Sequence, residues 1–226
     1  MKIFLFVTIM LSCIFQQSET AGDETINYLA LGDSYTIGES VLESDRFPVQ
    51  LTNELNKLTY NVGPPLIIAK TGWTTDELSA ALDEKETIGK FDFVTLLIGV
   101  NNQYRGRDAE EFRKEFIQLL NRAAGYTHSI KNVIIVSIPD WGVTPFAVDK
   151  GRDSQKVGEE IDIYNSIKKQ EAEDAGAHYV YITDISKEAK DDESLLAHDK
   201  LHPSGKMYSL WVERILPIAK QILDIK

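Results

Sequence analysis

From residue 26 onward, short apolar runs alternate with longer stretches in which apolar residues recur at helical spacing. The runs are Tyr28 to Leu31, Leu66 to Ala69, Phe93 to Ile98, Val133 to Ile138 and Tyr179 to Ile182. Each is rich in Val, Ile or Leu and mostly lacks polar alternation, which predicts strands buried on both faces of a parallel sheet. Between them, Phe47, Leu51, Leu55 and Leu58 fall on one helical face, as do Leu78, Ala81 and Leu82. Phe112, Phe116, Leu119, Leu120 and Ala123 predict a third helix, and Val157, Ile161, Tyr164 and Ile167 a fourth. The last stripe carries Met207, Leu210, Trp211, Ile215, Ile218 and Ile222, with a kink expected at Pro217. Strands alternating with helices in this way predict a doubly wound, three-layer α/β/α sandwich with a five-stranded parallel sheet. No repeat or linker interrupts it, so residues 22–226 read as one domain.

Composition narrows the picture. At 43% hydrophobic and 26% charged, 226 residues suffice for one full core and exclude disordered and fibrous classes. The formal net charge is -11, with no Lys/Arg cluster, so nucleic acid is excluded as a partner. At the start, Lys2 precedes the apolar run Ile3 to Leu11 and the polar stretch Gln16 to Thr20, the layout of a secretory signal peptide over residues 1–21. That run is too short to span a bilayer, which takes roughly 20 residues. Cys13, the only cysteine, follows Met10-Leu11-Ser12 and resembles the lipobox of bacterial lipoproteins, whose Cys carries a lipid anchor. Cleavage near Ala21 is the alternative, and the sequence leaves both open. Either way an exported domain without a disulfide is expected, whether periplasmic, extracellular or lipid-anchored.

In a doubly wound sheet, ligands bind beyond the carboxyl ends of the strands. The residues there are Gly32-Asp33-Ser34-Tyr35, Thr71-Gly72-Trp73, Gly99-Val100-Asn101-Asn102 and Pro139-Asp140-Trp141, with Asp199-Lys200-Leu201-His202 beyond the fifth strand. Ser34, at a strand-to-helix turn, can present its hydroxyl at the mouth of the sheet. Thr36 rules out the G-x-S-x-G elbow. A nucleophilic serine needs a base, and the base an orienting group. Of His128, His178, His198 and His202, only His202 has an acid three residues earlier, Asp199, just before a new helix. His128 and His178 precede strands, on the wrong edge of the sheet, and His198 lacks a comparable partner.

Ser34 in Gly-Asp-Ser, Gly72, Asn101 in Gly-x-Asn and His202 in Asp-x-x-His together resemble the SGNH (GDSL) hydrolase family. They occur in the family's order from about residue 27 to 205, and Tyr35 stands where the family name has Leu, as in its bacterial esterase/lipase-like subgroup. The resemblance implies a flavodoxin-like sheet, with Ser34 as nucleophile, His202 as base and Asp199 orienting it through an acyl-enzyme mechanism. It implies an oxyanion hole from the N–H groups of Ser34 and Gly72 and the Asn101 amide, and no cofactor or metal. Asn102 departs from the usual Gly-x-Asn-Asp, and an amide cannot supply that carboxylate's charge. The strand-end loops carry Tyr35, Trp73, Tyr104, Trp141 and Phe146 beside Asn102, Gln103, Arg105 and Arg107. Aromatic faces beside hydrogen-bonding groups suit sugar rings, so the expected substrate is a small ester, a short acyl group on a carbohydrate-like alcohol. The only long loop, Thr144 to Ser154, is half polar, and no apolar insertion offers a tunnel for a long acyl chain. Lysophospholipase or thioesterase action, or a non-catalytic binding domain on the same fold, are the other readings.

Overall fold

A computed structural model describes residues 25–85 and 89–225 of the chain; the signal segment and Cys13 lie outside the described residues. The chain begins with β1 (Tyr28–Gly32), α1 (Ser34–Ile37), α2 (Phe47–Lys57), β2 (Leu66–Ala69) and α3 (Thr75–Asp83). Next come β3 (Phe93–Leu97), α4 (Val100–Tyr104), α5 (Ala109–Gly125), β4 (Val133–Val136) and α6 (Pro145–Asp149). It closes with α7 (Ser154–Ala175), β5 (His178–Val180), α8 (Thr183–Lys187) and α9 (Gly205–Asp224).

All strand pairs are parallel, in the order β2-β1-β3-β4-β5, the flavodoxin-like arrangement. The chain steps outward from β1 to β2 and then back across to β3, so the switch point lies between β1 and β3. There Gly32 pairs with Leu97, which sets the turn after β1 beside the turn after β3. Right-handed crossovers put α2 on one face, packed against α9, and α3, α5 and α7 on the other, with α5 between its neighbours.

The expectation of strands buried on both faces holds for β1, β3 and β4, whose residues are all buried. It does not hold for the edges. Leu66 of β2 is 43% exposed, and β5 is only partly covered, because an edge strand lacks a neighbour and the helix layers end there. Leu58 is also exposed, since α2 ends at Lys57 and Leu58 only caps it. His178 opens β5 rather than preceding it. Residues 144–154 are not a plain loop: Pro145 starts the short α6, capped by the Thr144 hydroxyl on the Ala147 N–H. α9 continues through Pro217 on its exposed side, where water can satisfy the carbonyl that the missing N–H leaves unbonded. Between α2 and α9 lie Phe47, Tyr208 and Trp211, with the Tyr208 and Trp211 rings edge-to-face at 5.0 Å.

Candidate active site

Ser34 is the first residue of α1, one turn of helix directly after β1. Asp33 caps that turn, its Oδ1 accepting the Tyr35 N–H at 3.1 Å. A first helical residue keeps its own N–H out of intrahelical bonding, as an oxyanion donor requires. The Tyr208 hydroxyl donates to the Tyr35 carbonyl at 2.9 Å and ties the turn to α9. Behind Ser34 sits a fully buried pair. Burial pushes the Asp33 carboxyl up, opposed by the Tyr35 N–H and the Lys168 ammonium, and its Oδ2 has no hydrogen-bond partner. Lys168 of α7 donates to the carbonyls of Ile98 at 3.1 Å and Val136 at 2.7 Å, at the ends of β3 and β4. Burial pushes that ammonium down, while Asp33 pulls it back up.

Asp199 shapes the turn that carries His202. Its Oδ1 accepts the N–H groups of Leu201 and His202, each at 3.0 Å. Its Oδ2 meets His202 Nδ1 at 2.6 Å and accepts the Ser40 hydroxyl at 2.7 Å. With Nδ1 engaged, Nε2 is the nitrogen left to take a proton. Burial raises the Asp199 carboxyl, but the His202 ring, the Ser40 hydroxyl and the two N–H groups outweigh it and hold the group at about 2. A depressed folded-state value stabilises the fold above the ordinary carboxylate range, and that contribution disappears as pH falls towards about 2. Ser40 itself adopts a left-handed φ of 67°, a strained conformation for a residue with a side chain. Ser40→Ala is expected to lower kcat about tenfold with KM unchanged, because a charge-assisted bond to Asp199 is lost. Steady-state kinetics on 4-nitrophenyl acetate check this.

The oxyanion candidates converge from two further loops. Gly72 adopts a φ of +88°, in a turn closed by the Trp73 N–H on the Lys70 carbonyl at 3.2 Å. A Cβ there would meet only Arg105 Nη2, at 4.0 Å, so the backbone conformation rather than crowding demands glycine. Arg105 Nη2 donates to the Gly72 carbonyl at 2.7 Å and so fixes that peptide. Asn101 Nδ2 donates to the Trp73 carbonyl at 2.9 Å, which joins the two loops and leaves one amide hydrogen for a ligand. Asn102 points elsewhere. Fully buried, it accepts the Thr75 N–H at 3.1 Å and donates to the Thr75 hydroxyl at 2.6 Å and to Glu115 at 3.4 Å. It therefore caps the start of α3 instead of contacting a ligand. An amide suits that position because a carboxylate there would face the Glu115 carboxylate.

These loops enclose a cavity of about 200 Å³ that holds Ser34, Gly72, Asn101 and His202 together. Tyr35, Tyr104, Trp141 and Phe146 also line it, as do Thr71, Val100 and Leu201, which lie in the expected strand-end segments but carried no chemical signal of their own. The Tyr35 ring meets the His202 ring edge-on at 5.6 Å. Trp73 is not part of the lining; it packs half-buried on the core and contributes its carbonyl to Asn101. Gln103 sets Trp141, accepting the indole N–H at 2.8 Å while donating to Glu160 at 2.7 Å. Arg107 pairs with Asp76 at 2.6 Å. Ser40 carried no sequence signal, whereas Lys168 had one: it lies seven residues after Ile161 and four after Tyr164, on the buried stripe of α7. Among the described residues, no group of three or more His, Cys, Asp or Glu side chains could hold a metal ion.

A flavodoxin-like sheet that gathers Ser34, Gly72, Asn101 and His202 beside its switch point has the arrangement of the SGNH hydrolase fold. The chain belongs to the GDSL-like lipase/acylhydrolase family, whose model matches residues 30–210. Among the solved structures that share the fold are these three. A lipolytic G-D-S-L family protein from Veillonella parvula DSM 2008 gives a TM-score of 0.71 at 16% identity, covering 87% of this chain and 100% of that one. The psychrotrophic esterase EstA from Pseudoalteromonas sp. gives 0.64 at 17% identity, covering 88% and 98%. The acetylxylan esterase Axe2 from Geobacillus stearothermophilus gives 0.66 at 18% identity, covering 86% and 94%. No curated protein matches the sequence.

Proposed function

We propose that the protein is a serine esterase that removes short acyl groups, acetyl foremost, from carbohydrate-like alcohols. The observation that carries this reading is the single small cavity in which Ser34, Gly72, Asn101 and the Asp199-bound His202 meet. Ser34 attacks the ester carbonyl as His202 takes its proton, and the tetrahedral oxyanion is received by the N–H groups of Ser34 and Gly72 and the Asn101 amide. The C–O bond to the alcohol then breaks as His202 returns the proton to the leaving oxygen. Water, activated by the same imidazole, hydrolyses the acyl-enzyme. Asp199 holds the ring in one tautomer and stabilises the imidazolium. At about 200 Å³ the cavity falls below the roughly 300–1,000 Å³ that houses drug-sized ligands, which favours a short acyl group. Its aromatic wall of Tyr104, Trp141 and Phe146 offers faces for a sugar ring.

Two measurements test this reading. A fluorophosphonate probe should label Ser34 covalently; a folded protein left unlabelled would sink the nucleophile assignment. On a series of 4-nitrophenyl esters, kcat/KM should be maximal at about C2–C4. Each buried CH₂ is worth ~0.8 kcal/mol where a tunnel exists, so an optimum at about C8 or beyond would point to lysophospholipase or thioesterase action instead.

A further inference from the structure

Two cations lie against rings of this cavity's aromatic wall without lining the cavity itself, and Arg152 lines an adjoining groove with Asp153, Lys156 and Glu160. The Lys150 Nζ lies 5.5 Å from the centroid of the Phe146 ring, and the Arg152 guanidinium 5.1 Å from that of Tyr104. The Trp141 ring bridges the two, 5.3 Å from Tyr104 and 6.2 Å from Phe146. The tight end of α6 carries both cations. Gly151 sits at φ +62°, and the Arg152 N–H returns to the Ala147 carbonyl at 2.9 Å, so Lys150 and Arg152 flank a left-handed turn.

In a chain of net charge -11, such cations are expected to find carboxylates. The other arginines do: Arg46, Arg105, Arg107, Arg113, Arg122 and Arg214 each pair with an acidic side chain. Arg152 and Lys150 are exposed, and neither has a carboxylate at ion-pair distance among the described residues. Of the neighbouring acids, Asp149 makes no side-chain bond or ion pair among the described residues, while two others are engaged. Asp153 caps α7 through the Lys156 N–H at 3.1 Å, and Glu160 is held by Gln103 and Lys156. A guanidinium lying on an aromatic face keeps its N–H edges free for a planar acceptor, the geometry of bidentate carboxylate recognition.

The side of the cavity matters too. The Phe146 N–H bonds to the Lys200 carbonyl at 3.4 Å, which places Phe146 and Lys150 beside the turn carrying His202. The leaving oxygen takes its proton from His202, so the alcohol portion of the ester must lie on that side. We propose that Lys150 and Arg152 form a subsite for a carboxylate on the alcohol portion of the substrate, so that acylated acidic sugars are preferred over neutral ones. This rests on the esterase reading of the same site.

The test compares kcat/KM on a monoacetylated methyl glucuronoside and on the methyl glucoside acetylated at the same hydroxyl. Wild type should favour the acidic sugar by about tenfold, the product of two partly exposed ion pairs worth about threefold each. The difference should sit in KM and shrink as salt is raised, because charges at a solvent-exposed rim are screened over about 10 Å at 0.1 M. The ratio should fall to about one in K150A/R152A and invert in K150E/R152E. Equal rates in wild type, or an unchanged ratio in the charge-reversed variant, overturn the subsite. So does a wild type that Ser34-directed fluorophosphonate labels but that leaves both sugars intact. A charge-sensitive preference for 4-nitrophenyl hemisuccinate over the acetate would put the anion on the acyl side and overturn it as well. Absence of labelling would instead sink the serine esterase reading itself.

Discussion

Ser34→Ala and His202→Ala are each expected to lower kcat/KM on 4-nitrophenyl acetate by about 10⁴- to 10⁶-fold. The residual rate should come from the oxyanion donors, which both variants keep. Neither change removes a main support of the fold. The Ser34 hydroxyl makes no hydrogen bond among the described residues, and without the His202 ring Asp199 still holds Ser40 and its own turn. Thermal unfolding midpoints should therefore stay within a few degrees of wild type. The double variant should lose little beyond either single one, because nucleophile and base act as a unit. Folded single variants with near wild-type rates would refute the assignment, and additive losses would refute the partnership.

Lys168→Met is expected to destabilise the protein by about 3–5 kcal/mol, read as the free energy of urea unfolding at pH 7. Methionine keeps much of the stem's volume, so the loss comes from what the ammonium did. The carbonyls of Ile98 and Val136 lose a donor, and Asp33 is left buried without a countercharge. Without Lys168, Asp33 keeps its proton to higher pH in the folded state than it does in wild type. The folded protein then holds a proton that the unfolded chain has already released above the ordinary Asp range, so its stability falls as pH rises. The deficit relative to wild type should accordingly be larger at pH 8 than at pH 5. Adding Asp33→Asn should abolish that growth with pH and restore part of the stability. A deficit that is the same at both pH values would mean that Lys168 acts through packing alone.

The fold was readable because its inner strands are short apolar runs and its helices carry clear stripes; the order β2-β1-β3-β4-β5 came with the family motifs rather than from any pattern. The catalytic candidates were readable for a related reason: the end of a parallel strand is where the backbone turns, and Ser34, Gly72, Asn101 and His202 each follow such an end or the turn beyond it. What resisted reading were contacts made across the sequence. Asn102 looked like a neighbour of the ligand, but its partners are Thr75 and Glu115, set by how α3 meets α5. Ser40 bonds to Asp199, 159 residues away, and nothing local marks it. Leu66 shows the converse limit: an edge strand and an inner one share a composition, and only the neighbour count separates them.

The bonds from Tyr35 to Tyr208 and from Ser40 to Asp199 join segments 173 and 159 residues apart, so the Ser34 turn and the His202 turn are brought together from distant parts of the sequence. A polypeptide emerging from the ribosome completes its strands through β5 before α9 exists to be packed. Until that helix docks on α2, the Ser34 turn lacks its bond from Tyr208. A chain cut short before residue 199 therefore contains every strand but lacks both Asp199 and His202. On the proposed mechanism, hydrolysis thus waits on residues 199–202 and on the docking of α9, not on completion of the sheet.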